Sequence, residues 1–179
     1  VGRRFESYLG CNFIMETREQ IINKVKKWIV EVLEPTRPEL SGFAACPFVK
    51  AERLNDKIMY GILDGNTRLV DLVKEFDRSS YTTALFVQIL EEDMSPEDGL
   101  EYQRFINAVM KESGLGKYKN ICFNPKESLN VNGFCPRSQA PYFMINIAPR
   151  KDLIKAHESL LKTKYFDNFP EKYRKYLQY

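Results

Sequence analysis

The sequence predicts a single α/β domain with a mixed four-stranded sheet in the order βαβαββα, preceded by an amphipathic helix. Three observations lead there. Apolar residues recurring at three- and four-residue steps mark helices, and short apolar runs bounded by turn residues mark strands. The two kinds of segment alternate along most of the chain, the pattern that yields parallel crossovers with helices lying on the sheet faces. At 179 residues the chain fits one domain, able to remove roughly two thirds of its unfolded surface from water without disulfides or a metal.

The first helix is the most legible. Thr17 and Gln20 form a capping-box pattern, in which each side chain satisfies the other residue's amide. Behind it Ile21, Ile22, Val25, Trp28, Ile29, Val32 and Leu33 fall on one helical stripe. Pro35 and Pro38 end it, since each lacks an amide donor and holds the preceding residue extended. The Cys46 segment is therefore expected to begin as loop.

Residues 57–63 read as the first strand, and Asp64-Gly65-Asn66 turns into a helix faced by Leu69, Val70, Leu72, Val73 and Phe76. Residues 81–90 form the second strand, whose core Ala84-Leu85-Phe86-Val87 is continuously apolar, as in a strand covered on both faces. Ser95-Pro96 supplies an N-cap and a proline at the first helical position, opening a helix that stops at Gly114. Residues 119–124 and 142–148 are the third and fourth strands, separated by a long connection over 125–141. A last helix over 151–162 carries Leu153, Ile154, His157, Leu160 and Leu161 on one side. The thioredoxin fold shares this order of elements, but its redox cysteines follow the first strand. Cys46 precedes that strand here, and no Cys-x-x-Cys is present.

The domain is expected over 15–163, with an aromatic and basic tail over 164–179. Residues 1–14 precede Met15 and read either as sequence upstream of the native start or as part of the fold. Phe5, Tyr8, Leu9, Phe13 and Ile14 are apolar enough to pack. The formal net charge is +3. Residues 162–179 carry five Lys/Arg against Asp167 and Glu171, an excess equal to the whole. The rest is nearly neutral, so nucleic-acid binding is not expected. No apolar stretch approaches the roughly 20 residues that span a bilayer, so no membrane partner is expected. The four cysteines, Cys11, Cys46, Cys122 and Cys135, are irregularly spaced, and no secretory h-region leads the chain; a reducing, cytoplasmic compartment is expected.

The order of several short motifs resembles a bacterial family of uncharacterised proteins, the domain-of-unknown-function family 1415, over residues 21–155. The carriers are Trp28 on its helix, Cys46-Pro47-Phe48-Val49-Lys50, the strand Thr82-Thr83-Ala84-Leu85-Phe86-Val87, and Arg137-Ser138 with Pro141-Tyr142 and Arg150. Members of that family carry histidine where this chain has Asn124 and Asn146. If they use those imidazoles for metal binding or proton transfer, the resemblance implies that this chain has lost that chemistry or performs it differently. It supplies no established activity.

Cys46 is the candidate catalytic residue: a thiol held extended by Pro47, with Lys50 and Arg53 near enough in sequence to favour thiolate. The alternative is a structural cysteine among Phe43, Ala44, Ala45 and Phe48. Cys135 repeats the Cys-Pro pairing and would serve as a resolving thiol if the long loop folds over Cys46. A four-cysteine zinc site is not expected, since structural zinc ligands come in closely spaced pairs, and no cofactor is expected. Asn124, Arg137, Ser138 and Arg150 are expected to gather at the ends of the third and fourth strands and, with Lys50, to hold an anion. His157 is expected at the edge of the core. The tail aromatics are expected to dock on their own domain or on a partner subunit.

Two functions stay open. One is an enzyme acting on a small anionic metabolite through Cys46. The other is a non-catalytic binding or assembly module, in which Cys46 is structural and the tail mediates association, including association into a homo-oligomer.

Overall fold

The computed structural model describes residues 16–64, 67–89, 94–127 and 130–171; the segment 1–14 and the tail beyond residue 171 lie outside them. Helix α1, Arg18–Trp28, starts on the expected capping box: Gln20 N donates to Thr17 Oγ1 at 3.2 Å, and Thr17 N donates to Gln20 Oε1 at 2.7 Å. The same stripe continues as a π-helical turn, Ile29–Leu33, closed by Glu34 N donating to Ile29 O at 3.0 Å. The wider turn keeps Ile29 and Leu33 buried while Val30 is left exposed.

Three short elements follow where a loop was expected. Strand β1 (Thr36–Arg37) pairs antiparallel with β2 (Phe43–Ala44), and helix α2 (Val49–Leu54) comes directly after Cys46. The prolines end α1 as expected, but one of them, Pro38, then opens a 3-10 turn between the two strands.

The main sheet comprises β3 (Ile58–Leu63), β4 (Thr83–Gln88), β5 (Tyr118–Phe123) and β6 (Phe143–Pro149) in the spatial order β3-β4-β6-β5. Helices α3 (Leu69–Arg78), α4 (Pro96–Glu112) and α5 (Arg150–Leu161) occupy the expected places along the chain. β3 and β4 are parallel, whereas β6 is antiparallel to both its neighbours. The crossover through α4 therefore returns the chain parallel to β4 but one position away, and β6 fills the gap.

Alternation along the strands divides the core. Met59, Leu63, Ala84, Phe86, Ile145 and Ile147 face α3 and α4, which bring Val73, Phe76, Ile106 and Met110. Ile58, Leu85, Val87 and Met144 face the opposite side, covered by Ile21, Val25, Trp28, Ile29 and Leu33 of the first helix. The central strands are buried on both faces, which is why β4 reads as one apolar run. None of the described helices is long and apolar enough to cross a membrane.

Candidate functional site

Cys46 sits where the first helix ends. Its amide donates to the carbonyl of Leu33 at 3.1 Å, satisfying one of the acceptors a helix C-terminus leaves open. The residue is half-buried and packs against the core under the first helix. Burial pushes its thiol pKa up, the amides of Phe48 and Val49 oppose that shift, and the carboxylate of Glu52 adds to it. The expected cationic activation is not found. Lys50 is exposed on α2, and Arg53 is engaged by a two-pronged ion pair with Glu34.

The long connection does close over this region. Asn132 and Gly133 both have positive φ, 53° and 91°, and Val131 and Phe134 exchange backbone hydrogen bonds of 2.9 and 3.0 Å. This is a two-residue hairpin of the type that favours Asn-Gly. Val131 and Phe134 pack on Leu40 in a third apolar cluster flanked by Phe43, Ala45, Cys135 and Phe169. The guanidinium of Arg37 lies 4.4 Å from the Phe134 ring centre.

The start of the tail covers the same segment from another side. Tyr165 is buried and donates from its hydroxyl to Ala45 O at 2.7 Å, while Asn168 Nδ2 donates to Glu39 O at 2.9 Å. The ring of Phe43 meets Tyr165 edge-on at 5.7 Å. The tail aromatics within the described residues thus dock on their own domain. His157 lies half-buried, 5.2 Å from Phe166, and burial lowers its pKa.

The expected anion site does not assemble. Asn124 is 3% exposed, and its amide donates to Met94 O and Ser95 O, each at 3.0 Å, while its Oδ1 accepts from Lys126 N at 2.9 Å. That uses its hydrogen bonds to hold the loop after β5 against the start of α4. Arg137 pairs with Glu127 at 3.7 Å, and Ser138 Oγ donates to Cys135 O at 3.1 Å. Arg150 is at the opposite end of the sheet. Because β5 and β6 are antiparallel, Asn124 follows the end that pairs with Met144, and Arg150 follows the end that pairs with Tyr118. The length of β6, about 20 Å at the usual strand rise, separates them.

Asn146 lies on the face covered by α1. Its Nδ2 donates to Thr83 Oγ1 at 2.8 Å and to Ala84 O at 3.1 Å, tying β6 to β4. The two asparagines therefore do not share a site. Among the described residues no group of three or more His, Cys, Asp or Glu is placed to hold a metal ion. Cys122 is buried, and its thiol is pushed up to about 12 by burial.

An open feature among the described residues lies elsewhere. A cleft of about 830 Å³ runs between the first helix and the edge of β3, lined by Ile22, Lys26 and Val30 on one wall and Ile58, Met59 and Tyr60 on the strand. Lys27, Glu31, Arg53, Asp56, Glu75 and Tyr81 complete its rim. The carbonyls of Lys57 and Leu63 accept from Thr82, Thr83 and Ile89, so odd-numbered positions of β3 face β4. In a parallel pair a residue's N–H and C=O point the same way, which turns those of Ile58, Tyr60 and Ile62 to the outside. No described residue bonds these six groups. Lys26 Nζ lies 5.3 Å from the Tyr60 ring centre, and burial holds the Tyr60 hydroxyl protonated, its pKa raised to about 12.

This site was not visible in the sequence, since nothing in residues 57–63 distinguishes an edge strand from a central one. The hairpin at Asn132-Gly133 was not anticipated within the long connection, although the Asn-Gly pair between two apolar residues is the signal that could have found it. The chain matches no family model, no curated protein and no solved structure.

Proposed function

We propose that the protein is a non-catalytic binding module in which Cys46 is structural. The observation that carries this reading is the contrast between two places. The thiol is desolvated, flanked by a carboxylate and packed against the core under the first helix, and the long loop and the tail pack on its neighbours Phe43 and Ala45. The edge of β3 stands open beside a cleft. A thiol nucleophile needs a thiolate, which cationic neighbours and solvent access favour and burial opposes. The residues expected to anchor an anionic substrate are engaged elsewhere or lie at opposite ends of the sheet. Association through the tail is less well supported, because Tyr165 and Asn168 are used within the chain. The free thiols of Cys46, Cys122 and Cys135 fit a reducing compartment such as the cytoplasm.

The test is alkylation of the native protein across pH, read at Cys46 by peptide mass mapping. Cys46 is expected to stay unmodified until the protein unfolds. Rapid modification with a midpoint below the ordinary thiol value of about 8.5 would restore the alternative, a thiol enzyme acting on a small anionic metabolite.

A further inference from the structure

Natural edge strands are usually protected against pairing by a charge, a proline, a bulge or a covering segment. β3 reads Ile-Met-Tyr-Gly-Ile-Leu, with no charge and no proline, and its pairing with β4 runs through all six residues without a bulge. Its outer side presents three N–H and three C=O groups that no described residue satisfies. Exposed apolar side chains, Val30 at 44% and Tyr81 at 39%, stand at the rim.

Of the charges that line the cleft, Lys27 pairs with Glu31 and Arg53 with Glu34, which leaves Lys26, Asp56 and Glu75 without an ion pair among the described residues. Lys26 is on the first helix, which covers one face of the sheet, and pairs with no carboxylate among the described residues. Glu75 is on α3, which covers the other face, and pairs with no cation among the described residues. Successive side chains of a strand point to opposite faces. A strand laid along β3 would therefore meet Lys26 with side chains of one parity and Glu75 with those of the other.

We infer that the edge of β3 takes up an extended segment of a different protein chain as a fifth strand, one that carries a carboxylate toward Lys26 and a cationic side chain toward Glu75. Backbone hydrogen bonds supply affinity in such strand addition, and the alternating side chains supply specificity. A second copy of this chain is the poorer fit: its own β3 carries no charge of either sign, and two-fold pairing would bring two copies of Lys26 to the same face of the joined sheet. The inference rests on reading the protein as a binding module and names its partner's chemistry.

The probe is a displayed library of random twelve-residue peptides, selected on the full chain and on Tyr60→Pro. The Tyr60 amide takes no part in the β3–β4 ladder, so proline there removes an outward donor and leaves the sheet paired. Selected peptides are expected to alternate acidic and basic residues about apolar ones and to slow exchange of the Ile58, Tyr60 and Ile62 amides at least tenfold. Lys26→Glu, a surface change, is expected to weaken them tenfold or more. Three results would overturn the inference: no peptide enriched on the wild type over Tyr60→Pro, bound peptides that leave those three amides unprotected, or a wild-type dimer that Tyr60→Pro dissociates. Unchanged binding to Lys26→Glu would overturn its charge rule. All four leave the structural reading of Cys46 standing, which falls only on the alkylation result.

Discussion

Replacing Asn124 by aspartate exchanges an amide donor for a carboxylate oxygen in a site built to receive a donor. Asn124 Nδ2 lies 3.0 Å from both Met94 O and Ser95 O, and the residue is 3% exposed. The ionised side chain of the variant would face two carbonyls with no proton between them. Met94 O is left without a partner at a cost of about 1–3 kcal/mol, Ser95 O keeps the Gly99 amide at 2.9 Å, and the charge facing both carbonyls brings the expected loss to about 2–4 kcal/mol near pH 7. The protonated acid can donate to one carbonyl, which limits the loss in acid to about 1–2 kcal/mol. Burial and the carbonyls raise the folded-state pKa of this carboxyl above its unfolded value of about 3.9. A group raised in this way leaves stability intact below the unfolded pKa and removes it as pH rises through the folded one. The difference between wild type and Asn124→Asp should therefore be small near pH 3 and grow toward pH 7. Urea unfolding of both proteins at each pH measures it. A variant that loses less than about 0.5 kcal/mol at pH 7, the range of ordinary surface changes, or loses more in acid than at neutrality, would refute the clamp and return Asn124 to the candidate ligand-binding residues.

Two further outcomes follow from close contacts elsewhere. A Cβ on Gly99 would meet Asn124 Nδ2 at 2.9 Å and Phe143 only at an ordinary 3.5 Å; Gly99→Ala should cost about 1–3 kcal/mol by overpacking, yet become stabilising by up to about 1 kcal/mol in an Asn124→Ala background, where only the helical preference for alanine remains. Equal effects in both backgrounds, measured by urea unfolding of the four proteins, would exclude the contact. Tyr165→Phe removes the hydroxyl that donates to Ala45 O at 2.7 Å, and is expected to lower stability by about 1 kcal/mol with faster exchange of amides in the 36–46 hairpin region; an unchanged midpoint and exchange pattern would show that the tail does not hold this segment.

Local chemistry in the sequence was sufficient for most of the elements. Thr17 with Gln20 and Ser95 ahead of Pro96 announce helix starts through side chains that satisfy nearby amides, and both caps form. The spacing of Val73 and Phe76, or of Ile106 and Met110, announces a face, because a helix repeats within the segment that shows the pattern. The short elements around Cys46 were less legible. Two-residue strands show no period, and Pro38, one of the prolines that end α1, also stands inside the hairpin that follows.

What the sequence by itself determined is the order βαβαββα, the amphipathic helix before it, and the depth of β4, since each rests on contacts between near neighbours or on the burial of a continuous apolar run. What only the tertiary structure decided is which strands are neighbours. Placing β6 between β4 and β5 puts Arg150 a strand's length from Asn124, and leaves β3 with one side unpaired among the described residues. Strand pairing joins residues far apart in the chain through backbone groups that every residue carries, so the side-chain pattern of β3 is the same whether its outer edge meets another strand or none.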